Sequence, residues 1–288
     1  MKVLAVHHIK GGVGKTTTAV NLAWLAAAEG RRVVLWDLDP QAAATWTLRI
    51  RERIKGRLGG LFSRKKVTSP PQASLKASDY AGLDVLPGDS TCRQMEGLLT
   101  ELGPNRNPLA EVLAQLEPEY DLAVLDCPPG LTTVAERVFD VADALVLPTI
   151  PTPLSLRTLS QLMKHLKRLK KRPLALPFFC MADKRKRVHS DTCRYAREHG
   201  LGFLEAVIPY ASQVEQMTVR REPLPAFAPR CPASAAYARL WNEIGERLEG
   251  GERGSILERR GVRRELLDIA RGRMGLGGSD SSAIGNRE

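Results

Sequence analysis

The sequence has no apolar run that approaches the roughly 20 residues a helix needs to cross a bilayer. Its first ten residues, MKVLAVHHIK, lead into a glycine-rich loop and show no signal-peptide cleavage site. We therefore expect a cytoplasmic protein.

Cysteine is scarce and widely spaced, with five residues among 288 and no C-x-x-C pair. This spacing argues against a zinc site, an iron–sulfur cluster or a thiol-exchange centre. We expect reduced thiols that lie mostly in the core.

Positive charge, in contrast, is abundant and concentrated in two segments of the chain. Residues 49–66 carry eight Lys/Arg against one acid, and residues 157–187 carry eleven against one. Because the net charge of the whole chain is +11, the remaining residues together carry about −6. A basic excess grouped in this way favours a surface that docks on a polyanion, either nucleic acid or an acidic membrane. The alternative is a solvated basic face without a partner.

Short apolar runs bounded by turn residues alternate with helix-like stretches along the chain. This alternation predicts an α/β fold, a doubly wound and mostly parallel sheet with helices on both faces. The expected strands are residues 2–8, 32–37, 83–87, 121–126, 143–149, 174–181 and 203–209.

The stretch KGGVGKTT, residues 10–17, lies between the first strand and the first helix. Gly11, Gly12 and Gly14 lack the Cβ atoms that would prevent the backbone from wrapping a phosphate chain, so amides such as that of Val13 can point at its oxygens. The motif predicts a nucleotide site; the alternative is a Gly-rich turn without a ligand.

Three side chains at the start of the helix complete the predicted phosphate site. Lys15 supplies a positive charge for the β- and γ-phosphates, and the helix dipole acts in the same direction. The Thr16 hydroxyl is placed to bind Mg²⁺, and Thr17 can reach the α-phosphate.

Acidic residues end two further strands, in LWDLDPQ and LAVLD. Asp126 is placed to hold a Mg²⁺-bound water, and Asp39 to orient an attacking water. The alternative for Asp37 and Asp39 is that they cap the following helix. Ligands of such sheets bind at the carboxyl ends of strands, so we expect these motifs to meet at one edge.

With these motifs in order, the chain resembles the ParA/MinD family of deviant Walker A P-loop NTPases, and within it the ParA branch. In that family two subunits enclose two ATP molecules, and a lysine at the position of Lys10 reaches the partner's phosphates. Alternatively, Lys10 only adds local positive potential. The resemblance covers roughly residues 1–249, and its motifs are residues 10–23, 37–41, 126–130, 151–159 and 208–210.

The resemblance implies ATP and Mg²⁺ as cofactors and slow ATP hydrolysis in the absence of a partner. Lys10, Lys15 and Asp39 would then be the catalytic residues. The adenine site would include Met181, Asp183 and Pro209, although strand-end loops of this kind also occur for structural reasons alone.

The resemblance also implies an ATP-bound homodimer that binds DNA without sequence specificity, associates with the nucleoid and is stimulated by an adaptor of ParB-like role. The sequence departs from the family pattern, because no arginine directly follows Pro209. Taken singly, each DNA candidate fits a plain solvated charge better than a necessary contact. The candidates are Lys184, Arg185, Lys186, Arg187, Arg220 and Arg221.

Three other functions remain as alternatives. A MinD-like membrane-cycling ATPase needs an amphipathic anchor. The C-terminal GGSDSSAIGNRE does not provide one, and glycines weaken a helix in residues 48–62. No membrane partner is therefore expected. A metabolic ligase of the same fold would turn over ATP with a small acid. A regulator with an N-terminal helix-turn-helix is disfavoured, because the sequence starts at its first strand.

We expect residues 1–250 to form a single P-loop ATPase domain. Residues 56–80, rich in Gly, Pro, Ser and Lys, are predicted to be a surface excursion. A C-terminal helix within 251–274 and a disordered tail over 275–288 are predicted to follow.

Overall fold

The computed structural model describes residues 1–50, 70–89, 92–250 and 261–271. Within these ranges the strands form one sheet, and each predicted apolar run contains all or part of a strand. The strands are β1 Lys2–Val6, β2 Val33–Asp37, β3 Lys76–Ala77, β4 Leu83–Leu86, β5 Leu122–Asp126, β6 Ala144–Thr149, β7 Leu174–Ala182 and β8 Val207–Pro209.

The strand order is β3-β4-β2-β5-β1-β6-β7-β8. Every neighbouring pair is parallel except β3 and β4, which are antiparallel at the edge. The predicted doubly wound, mostly parallel sheet is therefore confirmed.

Helices connect the strands and cover the sheet. They are α1 Lys15–Ala28, α2 Ala43–Thr47, α3 Cys92–Leu102, α4 Pro108–Leu116, α5 Thr133–Val141, α6 Pro153–Leu166, α7 Arg187–Glu198, α8 Ser212–Arg220, α9 Leu224–Phe227, α10 Pro232–Glu249 and α11 Val262–Ala270.

The central strands are apolar on both sides because each face of the sheet carries its own core. In β1, Val3 and Ala5 pack into the cluster that includes α3 to α6 and α11. Leu4 and Val6 pack into the opposite cluster, which includes α1 and α10. The period of two along a strand accounts for this division.

The register of the central strands fixes where the functional loops begin. Asp126, the last residue of β5, pairs with Val6 on one side and Asp37 on the other. The phosphate loop, the DLDPQ segment and the DCPPG segment therefore leave the sheet at the same edge. We call this edge the nucleotide edge.

Some local predictions differ from the structure or lie outside the described residues. The apolar run at 203–209 forms a strand only at Val207–Pro209, and β3 was not expected. Of the predicted excursion, residues 56–69 lie outside the described ranges, as do all but two residues of the basic segment 49–66 and the whole predicted tail.

The described residues contain no helix long and apolar enough to cross a membrane.

Candidate nucleotide site

The loop between β1 and α1 presents a row of unused backbone donors. No amide from residue 11 to residue 17 donates a hydrogen bond to another described residue. Gly12 and Gly14 have positive φ angles of 70° and 87°, a conformation that glycine adopts readily. Gly14 precedes the first helical residue and provides no side-chain cap, so the helix N-terminus stays available to an anion.

Lys15 is buried at the start of α1, with 7% of its surface exposed. Burial lowers the pKa of its ammonium, while the nearby charges of Asp126 and Asp39 oppose that shift. The structure thus brings Lys15 close to the carboxylates of Asp39 and Asp126 at the start of α1. A cation at this position suits a bound polyanion.

Lys10 is half-buried at the entrance of the loop. Its backbone amide donates to Nδ1 of His8 at 3.0 Å. Its ammonium makes no hydrogen bond or ion pair with any described residue. The pKa of His8 is lowered mainly by burial, and the charge of Lys10 contributes to this shift. Lys10 therefore brings a cation to the site for which the described chain supplies no partner.

Asp126 is fully buried at the end of β5, and neither carboxylate oxygen has a hydrogen-bond partner among the described residues. Burial raises its pKa well above the usual range, the charge of Asp37 adds to the rise, and the nearby Thr16 hydroxyl opposes it. An orphaned carboxylate beside a hydroxyl has the donor chemistry that suits hydrated Mg²⁺. Thr16 and Asp126 therefore fit the predicted metal site.

Asp37 is also buried, but its carboxylate is well satisfied. One oxygen accepts from the amide and the hydroxyl of Thr45 in α2, both at 2.8 Å, and the other accepts from the Asp39 amide at 3.2 Å. Burial raises its pKa to about 6, although these hydrogen bonds oppose the shift. Asp37 thus anchors the first turn of α2 through Thr45, although the N-cap residue of that helix is Ala42.

Asp39 is half-buried, and one carboxylate oxygen accepts from the Gln41 amide at 2.9 Å. That contact is a local turn of the kind that Asp favours. The other oxygen makes no hydrogen bond with a described residue, so Asp39 keeps one acceptor unused within the described ranges.

A pocket of about 400 Å³, including open solvent, adjoins the phosphate loop at the ends of β7 and β8. Met181 lies in it with a positive φ of 51°, and its methyl group approaches Gly14. Sequence reasoning missed Tyr210 and Glu215, whose side chains join by a 2.7 Å hydrogen bond at the pocket wall. The lining includes Gly14, Thr17, Met181, Pro209, Tyr210 and Glu215.

Asp183 does not line this pocket. Its carboxylate accepts two hydrogen bonds from the Arg185 guanidinium at 2.9 Å, which lowers the pKa of Asp183 to about 2. Its assignment to the adenine site stays a prediction.

The six DNA candidates lie in two places. Lys184, Arg185 and Lys186 lie in the turn after β7 at the nucleotide edge, Arg187 begins α7, and all four are exposed. Arg187 also approaches Asp191 at 3.4 Å.

The other two candidates, at the end of α8, stack on aromatic rings. The guanidinium of Arg220 lies 5.0 Å from the Phe227 ring centroid. That of Arg221 lies 4.0 Å from Trp46 and donates to the Trp46 carbonyl at 2.9 Å. Arg221 therefore has a structural role, since it ties α8 to α2.

Gly88, which sequence reasoning also missed, allows the chain after β4 to approach Asp37. A Cβ at this position would lie 2.8 Å from the Asp37 carbonyl oxygen and 3.0 Å from its Cγ. The Gly88 amide donates to the Thr45 hydroxyl at 2.9 Å, so a shift of this backbone would disturb the contacts that hold Asp37.

We expect Gly88→Ala to lower the free energy of unfolding by about 1–3 kcal/mol, because the methyl group overpacks against backbone. The matched control is Gly97→Ala in α3, where a Cβ meets open space and the helix gains up to about 1 kcal/mol. Urea unfolding of both variants checks the prediction. A Gly88→Ala protein as stable as the unmodified chain would contradict it.

His7, at the end of the first apolar run, is fully buried, and neither ring nitrogen has a hydrogen-bond partner among the described residues. Its ring meets Phe139 edge-on at 5.0 Å. Burial, with a contribution from Lys15, lowers its pKa to about 3.

This shift predicts a pH-dependent stability. Because the folded pKa lies below the unfolded value of about 6.5, the stability is complete above pH 6.5 and falls as the pH drops towards 3. Chemical denaturation between pH 6 and 4 gives the slope of the free energy of unfolding against pH. In His7→Leu this slope should be smaller than in the unmodified chain by about 1.4 kcal/mol per pH unit. Equal slopes in the two proteins would refute this origin.

The comparisons with known proteins identify the family of the chain. Residues 1–176 match the AAA domain family. The chain is 29% identical over 252 residues to the chromosome partitioning protein ParA of Caulobacter vibrioides. The aligned region covers 85% of this chain and 94% of that protein. It is 30% identical over 254 residues to the chromosome-partitioning ATPase Soj of Thermus thermophilus, with 85% and 96% covered.

Among solved structures, apo McdA of Cyanothece has a similar fold, with a TM-score of 0.71 at 20% identity, covering 84% of this chain and 98% of that chain. The phosphate loop, the paired acidic motifs and these relatives together show that the chain belongs to the ParA/MinD family of AAA-domain ATPases.

Proposed function

We propose that this ATPase acts as a ParA-type positioning protein: ATP joins two subunits, the dimer binds DNA without sequence specificity, and a partner on the cargo stimulates hydrolysis and release. The observation that carries the proposal is the row of free amides from residue 11 to residue 17, next to a Lys10 ammonium without a partner among the described residues. The first feature suits a bound triphosphate, and the second suits the triphosphate of a neighbouring subunit.

Each polar group at the nucleotide edge then has a distinct role. The loop amides and Lys15 bind the phosphates and stabilise the charge that develops during transfer. Asp39 orients the attacking water with its free carboxylate oxygen. Mg²⁺, when bound, neutralises charge on the phosphates, and Thr16 with Asp126, the latter through water, are the residues that would hold it.

The base would occupy the pocket between Met181 and Pro209. Its walls are largely apolar and adjoin the phosphate loop through Gly14 and Thr17, so a ring bound there would extend directly from the phosphates. This supports the assignment of Met181 and Pro209 from the resemblance.

The exposed cations after β7 support a contact with DNA. Lys184 and Lys186 make no ion pair with a described residue, and they lie at the edge where a second subunit would join. DNA binding would therefore depend on the assembled dimer. The cargo, which could be a plasmid, a chromosome region or a protein body, would carry an adaptor of ParB-like role.

The proposal predicts that DNA affinity depends on both nucleotide and salt. Binding of a duplex should be tightest with ATP and weaker with ADP or without nucleotide. The logarithm of affinity should fall by about 0.9 per phosphate contact for each unit of log salt. Titrations in each nucleotide state check this. Binding that is equal in all states, or insensitive to salt, would contradict the proposed cycle.

Lys10→Ala separates a cross-subunit role from a purely local charge. We expect the variant to retain ATP binding, measured with a fluorescent analogue, but to stay monomeric with ATP in light scattering. Lys184→Ala, which removes an equal charge from the same edge, is the matched control for dimerisation and should dimerise normally. Unchanged dimerisation of Lys10→Ala would refute the cross-subunit role.

A further inference from the structure

The basic run of residues 157–187 does not form one surface. Helix α6 starts after β6 at the nucleotide edge and runs back across the sheet, so the cations at its end lie at the opposite edge, where β7 begins. The amide of Leu174, the first residue of β7, donates to the Asp143 carbonyl directly before β6 at 2.9 Å. We call the cations at this end the far-edge patch: Lys164, Lys167, Arg168, Lys170, Lys171 and Arg172.

The far-edge patch contains six cations among nine residues and no acid. None of the six forms an ion pair with a described residue, and the one side-chain hydrogen bond among described residues runs from Arg172 to the Lys167 carbonyl at 3.0 Å. Five of the six side chains are exposed, and Lys167 is half-buried. The positive charge is therefore directed at solvent.

Two acids close to this edge are already engaged. Asp143 accepts from the Val3 amide at 2.8 Å, and Asp121 pairs with Arg32 at 2.7 Å. Glu136 lies 3.8 Å from the His165 ring, and α11, which packs on α6, carries Glu265 and Asp268. Within the described ranges, none of these carboxylates forms an ion pair with a cation of the far-edge patch.

The end of α6 explains only part of this charge. A helix C-terminus carries about half a negative charge, which one cation in the last turn balances. Six cations exceed that requirement several-fold and produce a field that attracts polyanions.

We propose that the far-edge patch is a second contact surface for duplex DNA that does not require nucleotide. A duplex presents one negative charge about every 1.7 Å, which suits flexible cations spread along a turn. A membrane is a poorer match, because the apolar residues between the cations do not project outwards: Leu166 is buried and Leu169 is half-buried.

This inference goes beyond the proposed function, in which DNA binding depends on a dimer formed at the nucleotide edge. Because the patch lies on the other edge, it stays accessible in a single subunit. In a dimer joined through the nucleotide edges, the two patches would face away from each other.

The test uses the full chain without nucleotide and a fluorescently labelled duplex of about 30 base pairs, at salt concentrations from about 50 to 200 mM. The patch variant carries Arg168→Gln, Lys170→Gln and Lys171→Gln. The matched control carries Arg93→Gln, Arg230→Gln and Arg239→Gln, which remove the same charge from exposed positions outside the patch.

We expect the patch variant to bind the duplex about ten-fold more weakly at the lowest salt, with a salt slope reduced by about 0.9 for each phosphate that it no longer neutralises. The control should change affinity by less than about two-fold, and both variants should keep the ATPase rate of the unmodified chain. Because no nucleotide is present, this result can be obtained even where the ATP-dependent cycle fails its own test.

Equal reductions of affinity in the patch and control variants, or no reduction in either, would overturn the proposal. A second outcome would also overturn it: the unmodified chain and the control variant float with anionic vesicles, the patch variant does not, and the patch variant keeps its affinity for the duplex. That outcome would make a membrane the partner of the patch.

Discussion

The arrangement of the site depends on a carboxylate placed at the centre of a parallel sheet. Asp126 lies between β1 and β2, so its neighbours are strands whose backbone groups are already paired. The chain thus buries an acid with no hydrogen-bond partner among the described residues, at a substantial cost in desolvation. Lys15 offsets part of this cost through its charge, which links the first helix to the carboxylate. Buried carboxylates with a strongly raised pKa are typical of functional sites.

The second acidic motif connects the site to the outer surface. Asp37 holds Thr45, and the next residue, Trp46, donates from its ring to the Thr218 carbonyl in α8 at 3.2 Å. Arg221 closes the link from the other side through its contact with the Trp46 ring. The short helix α2 therefore touches both the nucleotide edge and the helix that leads into Arg220 and Arg221.

Much of this organisation follows from local sequence. The strands were predictable because buried parallel strands are continuous apolar runs, and the phosphate loop because glycine spacing and the following helix define it. Gly88 carried no comparable signal, since its importance comes from the close approach of Asp37 across the sheet. Tyr210 and Glu215 were missed for the same reason: the base pocket forms only when the ends of β7 and β8 lie beside the loop. The basic run of residues 157–187 suggests a single charged surface when it is viewed in the sequence alone. In the fold, α6 and β7 place its cations at opposite edges of the sheet, which sequence proximity does not show.

The unused amides of the phosphate loop affect the stability of the folded chain as well as its chemistry. A folded chain that leaves a row of donors free is less stable than one in which an anion satisfies them. A ligand that binds only the folded state at 1,000 times its dissociation constant adds about 4 kcal/mol to the free energy of unfolding. The resistance of this chain to proteases, and with it the amount that survives in a cell, would therefore follow the supply of nucleotide.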